Sequence, residues 1–188
     1  FKDSIVINSE FDLRYINSNL SSSTNLIGRF SLKKFFIYLN IIIRVLYELI
    51  FFRPDICYFS ITAKTTGFFK DFFIGVLIKL FNNKIIFHFH NKGVSSVQNI
   101  FYYNFFYKIL FKNSKAIILS ERLYFDISNY FKREDVFICQ NGIPAINNKS
   151  NKSSKIRLLF LSNLFSSKGV YELLEACKIL VNKKVVFS

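Results

Sequence analysis

The sequence predicts an α/β fold in which a parallel sheet carries helices on both faces, followed by the start of a second unit of the same kind. Three observations lead there. Short β-rich runs alternate with longer helical ones along the chain. The strand runs are almost continuously apolar, as strands covered on both sides are. A polar, low-complexity stretch at 147–155, NNKSNKSSK, then separates this alternation from a further strand, loop and helix.

Taken in order, the strand candidates are residues 4–8, 55–60, 84–90, 115–120 and 135–140, then 156–162 and 184–187 past the polar stretch. The helix candidates are 32–52, 66–81, 97–111, 122–131 and 170–181. Pro54 stops the first of these helices, and Asn82-Asn83 closes the second. The division is a first domain over 1–146, a linker over 147–155 and the opening of a second domain over 156–188. The chain begins at Phe1 and ends in the strand-like KKVVFS, so both domains are expected to be cut, the first lacking its first strand. Crossovers between the parallel strands should be right-handed, and ligands should sit outside the carboxyl ends of the strands.

A hydrophobic content of 51% with 25 Phe is ample for a core, and 188 residues hold one full domain and part of another. Twenty-six basic against twelve acidic residues leave a net charge of +14, which favours an anionic partner. Nucleic acid is disfavoured, because the lysines are scattered and no nucleic-acid motif appears. A phosphorylated small molecule or an acidic membrane surface fits better. Cys57, Cys139 and Cys177 are widely spaced and are expected to be reduced and buried.

Residues 35–52 are the one tempting membrane span. Asn40, Arg44 and Glu48 recur every fourth position and form a narrow polar stripe. Thirteen strongly apolar residues at about −0.3 to −0.6 kcal/mol each roughly cancel one Arg and one Glu at about +2.5 to +3.5 kcal/mol. The run is also slightly short for a span. We read it as a buried helix packed on the sheet, with peripheral bilayer contact left open.

The residues that could carry chemistry end strands. His88 and His90 are the only histidines and point to one face, with Phe89 on the other. Two imidazoles without a Cys or carboxylate at ligand spacing make a poor metal site, so no metal is expected. His90 either packs under a helix or lines a cleft before the flexible Asn91-Lys92-Gly93. Ser120-Glu121 opens a helix, as a cap or as a ligand contact. Asn141-Gly142 is either a tight turn or an interdomain hinge. Lys168-Gly169 lies just before a helix, where an ammonium and free amides can grip a diphosphate together. No GxGxxG, GxxxxGK[ST] or GxSxG is present, which argues against a dinucleotide dehydrogenase, a P-loop NTPase and a serine hydrolase.

Five segments, RPDICYFS, FFKDFFIGVLIKLFNNKIIFHFHNKG, AIILSERL, VFICQNGI and LLFLSNLFSSKGVYELLEA, occur in the order and spacing of one family. From about Arg53 to Ala176 the chain resembles a family-4 glycosyltransferase of the GT-B fold. The resemblance implies two Rossmann-like domains, the first binding a glycan or lipid-linked acceptor and the second a nucleotide-diphospho-sugar donor. It implies transfer with retention of configuration, no metal and no cofactor, and cytoplasmic work, at the inner face of the plasma membrane for a lipid-linked acceptor. His90 is then the cleft histidine near the reacting sugar. Lys168, with Gly169 allowing close approach, neutralises the leaving diphosphate, while Gly93, Ser120, Glu121, Asn141 and Gly142 border the cleft or hinge.

Two departures from the family pattern stand out. Asn163 occupies a loop position where many relatives have Arg. The two donor-binding glutamates, spaced eight apart in the family, are expected beyond Ser188, since Glu172 and Glu175 have the wrong spacing. A competing reading is a catalytically incomplete basic α/β module that binds an acceptor lipid, a membrane surface or a protein partner.

Overall fold

The computed structural model describes residues 4–18, 32–81, 84–142, 158–162 and 168–183. The chain forms two compact units, Phe1–Gly142 and Ile143–Ser188. The first holds α1 (Ile5–Glu10), α2 (Leu32–Tyr47, continuing as a π-helical turn over Glu48–Phe52), β1 (Ile56–Ile61) and α3 (Thr65–Leu80). These are followed by β2 (Lys84–Phe89), α4 (Phe101–Phe111), β3 (Lys115–Ile118), α5 (Tyr124–Ile127) and β4 (Val136–Ile138). The second unit contributes α6 (Val170–Asn182).

The four strands form one sheet in the order β1-β2-β3-β4, parallel throughout, and helices flank it in a Rossmann-like α/β arrangement. Register follows from alternation along each strand. Phe59 pairs with Phe87, Phe87 with Ala116 and Ala116 with Val136, and all four are buried. Against this row lie α3 and α4, whose aromatic residues fill the core. Phe111 packs at 5.2 Å from Phe87 and 5.6 Å from Phe89, and Tyr107 stacks on Phe111 at 5.3 Å. Gly75 lets the two helices approach: a Cβ there would lie 2.5 Å from Leu110 Cδ1. The alternate residues, including Tyr58, His88, Ile117 and Phe137, occupy the opposite face.

Several expected elements change. Residues 4–8 are not a strand but part of α1, whose first turn is capped by Ser4 Oγ accepting from the Ile7 amide. A helix satisfies its own backbone, whereas an extended run needs a neighbouring strand. The helix expected over 97–111 starts only at Phe101, and that expected over 122–131 shortens to a 3₁₀ turn at Glu121–Leu123 followed by α5. Residues 158–162 are not in a strand, and Leu159 and Leu161 are exposed. A parallel strand needs lateral partners, and none lies beside it among the described residues of the second unit. The expected linker 147–155 and strand 184–187 lie outside the described residues.

The helix over Leu32–Phe52 forms as expected, and Arg53 ends it in the left-handed conformation (φ 51°) before Pro54. It is not buried, however. Ile41, Val45 and Leu49 are buried in the core with Ile37 and Tyr38 packed against it, and the Tyr38 hydroxyl donates to the Lys70 carbonyl at 2.9 Å to hold this side on α3. Cys57 and Cys177 are half-buried but Cys139 is exposed, because it follows the edge strand β4. Burial pushes the Cys57 thiol up to about 11.

The packing at Gly75 can be tested directly. Gly75→Val should overfill the α3–α4 contact and lower the unfolding free energy by about 1–3 kcal/mol in urea titration. Phe73→Ala, at an exposed position on the same helix, should stay within about 0.5 kcal/mol of the parent.

Candidate functional site

The loops that follow β1 and β2 lie side by side at the carboxyl ends of the strands, and two buried acids and two tyrosines hold them. Asp71, buried on α3, accepts from the Thr62 amide at 2.8 Å through Oδ2, while Lys70 Nζ lies 2.9 Å from its Oδ1. The Tyr107 hydroxyl donates to the Ala63 carbonyl, and the Tyr103 hydroxyl accepts from the Thr65 amide at 3.0 Å. Thr65 needs this support, since a β-branched residue at φ 72° is strained.

Asp126, on α5, organises the loop after β2. Its Oδ2 accepts from the amides of Gly93 (2.8 Å) and Val94 (3.1 Å). Its Oδ1 accepts from the amide (3.1 Å) and hydroxyl (2.6 Å) of Ser95. A carboxylate with four donors is a strong local anchor, and its removal would leave buried amides unsatisfied. Between this anchored segment and α4 the chain runs through two turns, closed by the Val97 amide donating to the Val94 carbonyl (3.2 Å) and the Ile100 amide to the Val97 carbonyl (3.0 Å). Gly93 is needed for a second reason: a Cβ there would lie 3.2 Å from Ala63 Cβ, so the two loops touch at this residue.

His90 stands exposed at the start of that loop, its ring centroid 4.0 Å from that of His88. His88 is buried on the strand, and burial, then the neighbouring His90, lowers its pKa to about 4. Tyr58, whose phenol is raised to about 12 chiefly by burial, meets His88 Nδ1. At neutral pH the phenol is therefore protonated, and it shares a hydrogen bond with His88 Nδ1. The pair gives His90 a neutral, rigid support at the mouth of the loop.

The other expected residues fare differently. Ser120 precedes the 3₁₀ turn but makes no side-chain cap bond. Glu121 is held in a two-pronged pair with Arg133, at 3.0 and 2.7 Å, and Arg133 also donates to the Val136 carbonyl at 2.8 Å. It thus ties the segment after β3 to the start of β4. Asn141 and Gly142 are exposed beyond β4, and neither adopts the positive φ of a tight Asn-Gly turn.

In the second unit Lys168 is exposed and Gly169, at φ 80°, stands at the N-cap of the thirteen-residue α6 without a side-chain cap bond. A Cβ at Gly169 would lie 3.8 Å from Glu172 Oε2, which puts a carboxylate close to the same helix end. Asn163 lies outside the described residues. Among the described residues no three His, Cys, Asp or Glu side chains come together.

Two concavities in the first unit contain none of the expected residues. One, of about 260 Å³, is lined by Gln98, Asn99, Asn104, Lys108, Asn129 and Tyr130. The other, of about 490 Å³, runs along α2. Comparisons with family models, with curated proteins and with solved structures return no match.

Sequence reasoning missed Asp71, Asp126, Tyr58 and the Tyr103–Tyr107 pair. A signal for the acids was present: each is the single acid in a largely apolar run, FFKDFFIG and LYFDIS, where a buried carboxylate must find donors.

Asp126→Ala should lower stability by about 3 kcal/mol. In native-state hydrogen exchange it should strip protection from the Gly93, Val94 and Ser95 amides before the rest of the sheet; uniform loss would refute the local role. The His88 shift also has a defined sign. Its folded-state pKa lies below the ordinary value of 6.5, so the unfolded chain binds the extra proton as pH falls. This group's contribution is full above about pH 6.5 and is lost as pH falls toward 4, on the order of 3 kcal/mol in all. In urea titrations across that range His88→Gln should flatten this part of the pH dependence.

Proposed function

We propose that the chain belongs to a retaining glycosyltransferase of the GT-B, family-4 kind, which moves a sugar from a nucleotide-diphospho-sugar to a polysaccharide or lipid-linked acceptor. The observation that carries this reading is the helix start in the second unit. An exposed Lys168 precedes a left-handed Gly169 and an α6 end that no side chain caps. This arrangement suits a diphosphate, because a lysine stands next to a helix start whose first-turn amides no side chain caps. The resemblance of the surrounding segments supplies the reaction.

In that reaction the anomeric C–O bond to the diphosphate breaks, and its electron pair leaves with the phosphate oxygen. The acceptor hydroxyl bonds to the same face of the sugar and passes its proton to the departing phosphate oxygen. Charge grows on the departing diphosphate, and Lys168 with the α6 amides offsets it. His90 stands at a loop mouth at the carboxyl end of β2, with neutral His88 behind it and Asp126 fixing the loop that follows. Its role in the proposal is to hold the reacting sugar by a hydrogen bond. The proposed place of work is the cytoplasm, at the inner membrane face for a lipid-linked acceptor.

The test is transfer by the full-length protein from a panel of nucleotide-sugars, with the anomeric configuration of the product recorded. Retention is expected, and inversion would remove the family assignment. Lys168→Ala should lower kcat about 10²–10³-fold, with nucleotide still bound. An unchanged rate would take Lys168 out of the mechanism.

A further inference from the structure

We infer that the outward side of α2 is an in-plane docking surface for an anionic phospholipid bilayer. A helix on the surface of a water-soluble domain has one apolar stripe, turned to the core, and a polar remainder. α2 departs from this. Its core stripe is Ile41, Val45 and Leu49, yet the opposite side is also apolar. There Leu32, Phe36, Leu39, Ile43 and Ile50 are exposed, Leu32 and Phe36 at 71% and 65%. The sequence has only three basic and one acidic side chain over Leu32–Phe52.

The polar residues stand where a headgroup layer would be. At 100° per residue Lys33, Asn40 and Arg44 share one flank between the buried stripe and the outward side. The 490 Å³ groove runs along that flank, lined by Lys33, Asn40 and Arg44 together with Asn17, Phe36, Ile37 and Ile41. Two cations and three apolar side chains lining one groove match a lipid phosphate whose acyl chains continue alongside Phe36. Cations at headgroup level with aromatic and aliphatic residues beneath are the pattern of a helix lying in the interface plane. The net charge of +14 adds long-range attraction to an anionic leaflet.

A spanning helix would satisfy the same length and mean hydropathy. The core stripe and the Tyr38–Lys70 hydrogen bond instead hold α2 along the domain, leaving one side for lipid. The inference does not rest on the transferase reading.

The test is co-sedimentation of the 188-residue chain with phosphatidylglycerol–phosphatidylcholine vesicles and with phosphatidylcholine vesicles, folding being verified by circular dichroism. Binding should favour the anionic vesicles at least about tenfold and weaken with salt. Phe36→Glu and Ile43→Glu, both exposed, should each lower it by about tenfold or more. Lys33→Glu with Arg44→Glu should reduce the preference for anionic lipid by about tenfold or more, although the chain keeps a large positive charge, and free inorganic phosphate should not compete. Phe125→Glu, exposed on α5, should bind like the parent.

Equal binding by Ile43→Glu and the parent would overturn the inference. So would resistance to alkaline carbonate extraction, which marks a spanning helix. A concentration-dependent dimer that Ile43→Glu dissolves, without vesicle binding, would assign the face to a second copy instead. Vesicle binding by a full-length protein that transfers no sugar would sink the transferase reading and leave this surface standing.

Discussion

The Asp126 carboxylate is the contact on which the carboxyl end of the sheet depends. A buried carboxylate must collect hydrogen-bond donors, and this one draws them from Gly93, Val94 and Ser95. Three consecutive residues are thereby committed to a loop. That loop brings Gly93 against Ala63 and leaves His90 at its open start. Asp71 does the same for the loop after β1 through Thr62, and the tyrosines of α4 complete the hold. The aromatic core supplies most of the apolar burial, but these few polar contacts decide the shape of the loops above it.

Around this frame the molecule divides its apolar surface unevenly. The sheet row from Phe59 to Val136 is sealed by α3 and α4, and the ring contacts of Phe68, Tyr107 and Phe111 leave little space. α2 and α6 are different. The first buries one stripe and exposes another, and no residue of α6 is buried. On α6 the half-covered residues Leu173, Cys177 and Leu180 follow helical spacing, while Tyr171, Leu174 and Ile179 are exposed. Both helices therefore present surfaces whose chemistry extends beyond the contacts seen within their own units.

Much of the fold was legible from local pattern. The runs at 55–60, 84–90, 115–120 and 135–140 form strands within a residue or two, because each is a compact apolar run bounded by polar or helical sequence. Residues 4–8 show the limit of the same argument: β-branched composition alone does not supply a neighbouring strand, and Ser4 makes a helix cap available. The site was less legible. His90 and Gly93 do share one loop, but Glu121 proves to be an ion-pair partner of Arg133. The partners of Asp126 lie about thirty residues away in sequence, a distance at which no periodicity carries information.

By itself, the sequence determined the alternation of strands and helices, the positive charge, the glycine and lysine at the start of α6 and the two histidines on one strand face. These follow from composition and from spacing along a single element. Only the tertiary structure decided that α2 is two-sided, that His88 is a buried neutral support for His90, and that two lone acids hold the loops. The reason is physical: burial and hydrogen-bond satisfaction belong to groups brought together across the fold, and a side chain's neighbours, not its own identity, set its exposure, its charge state and the backbone it can restrain.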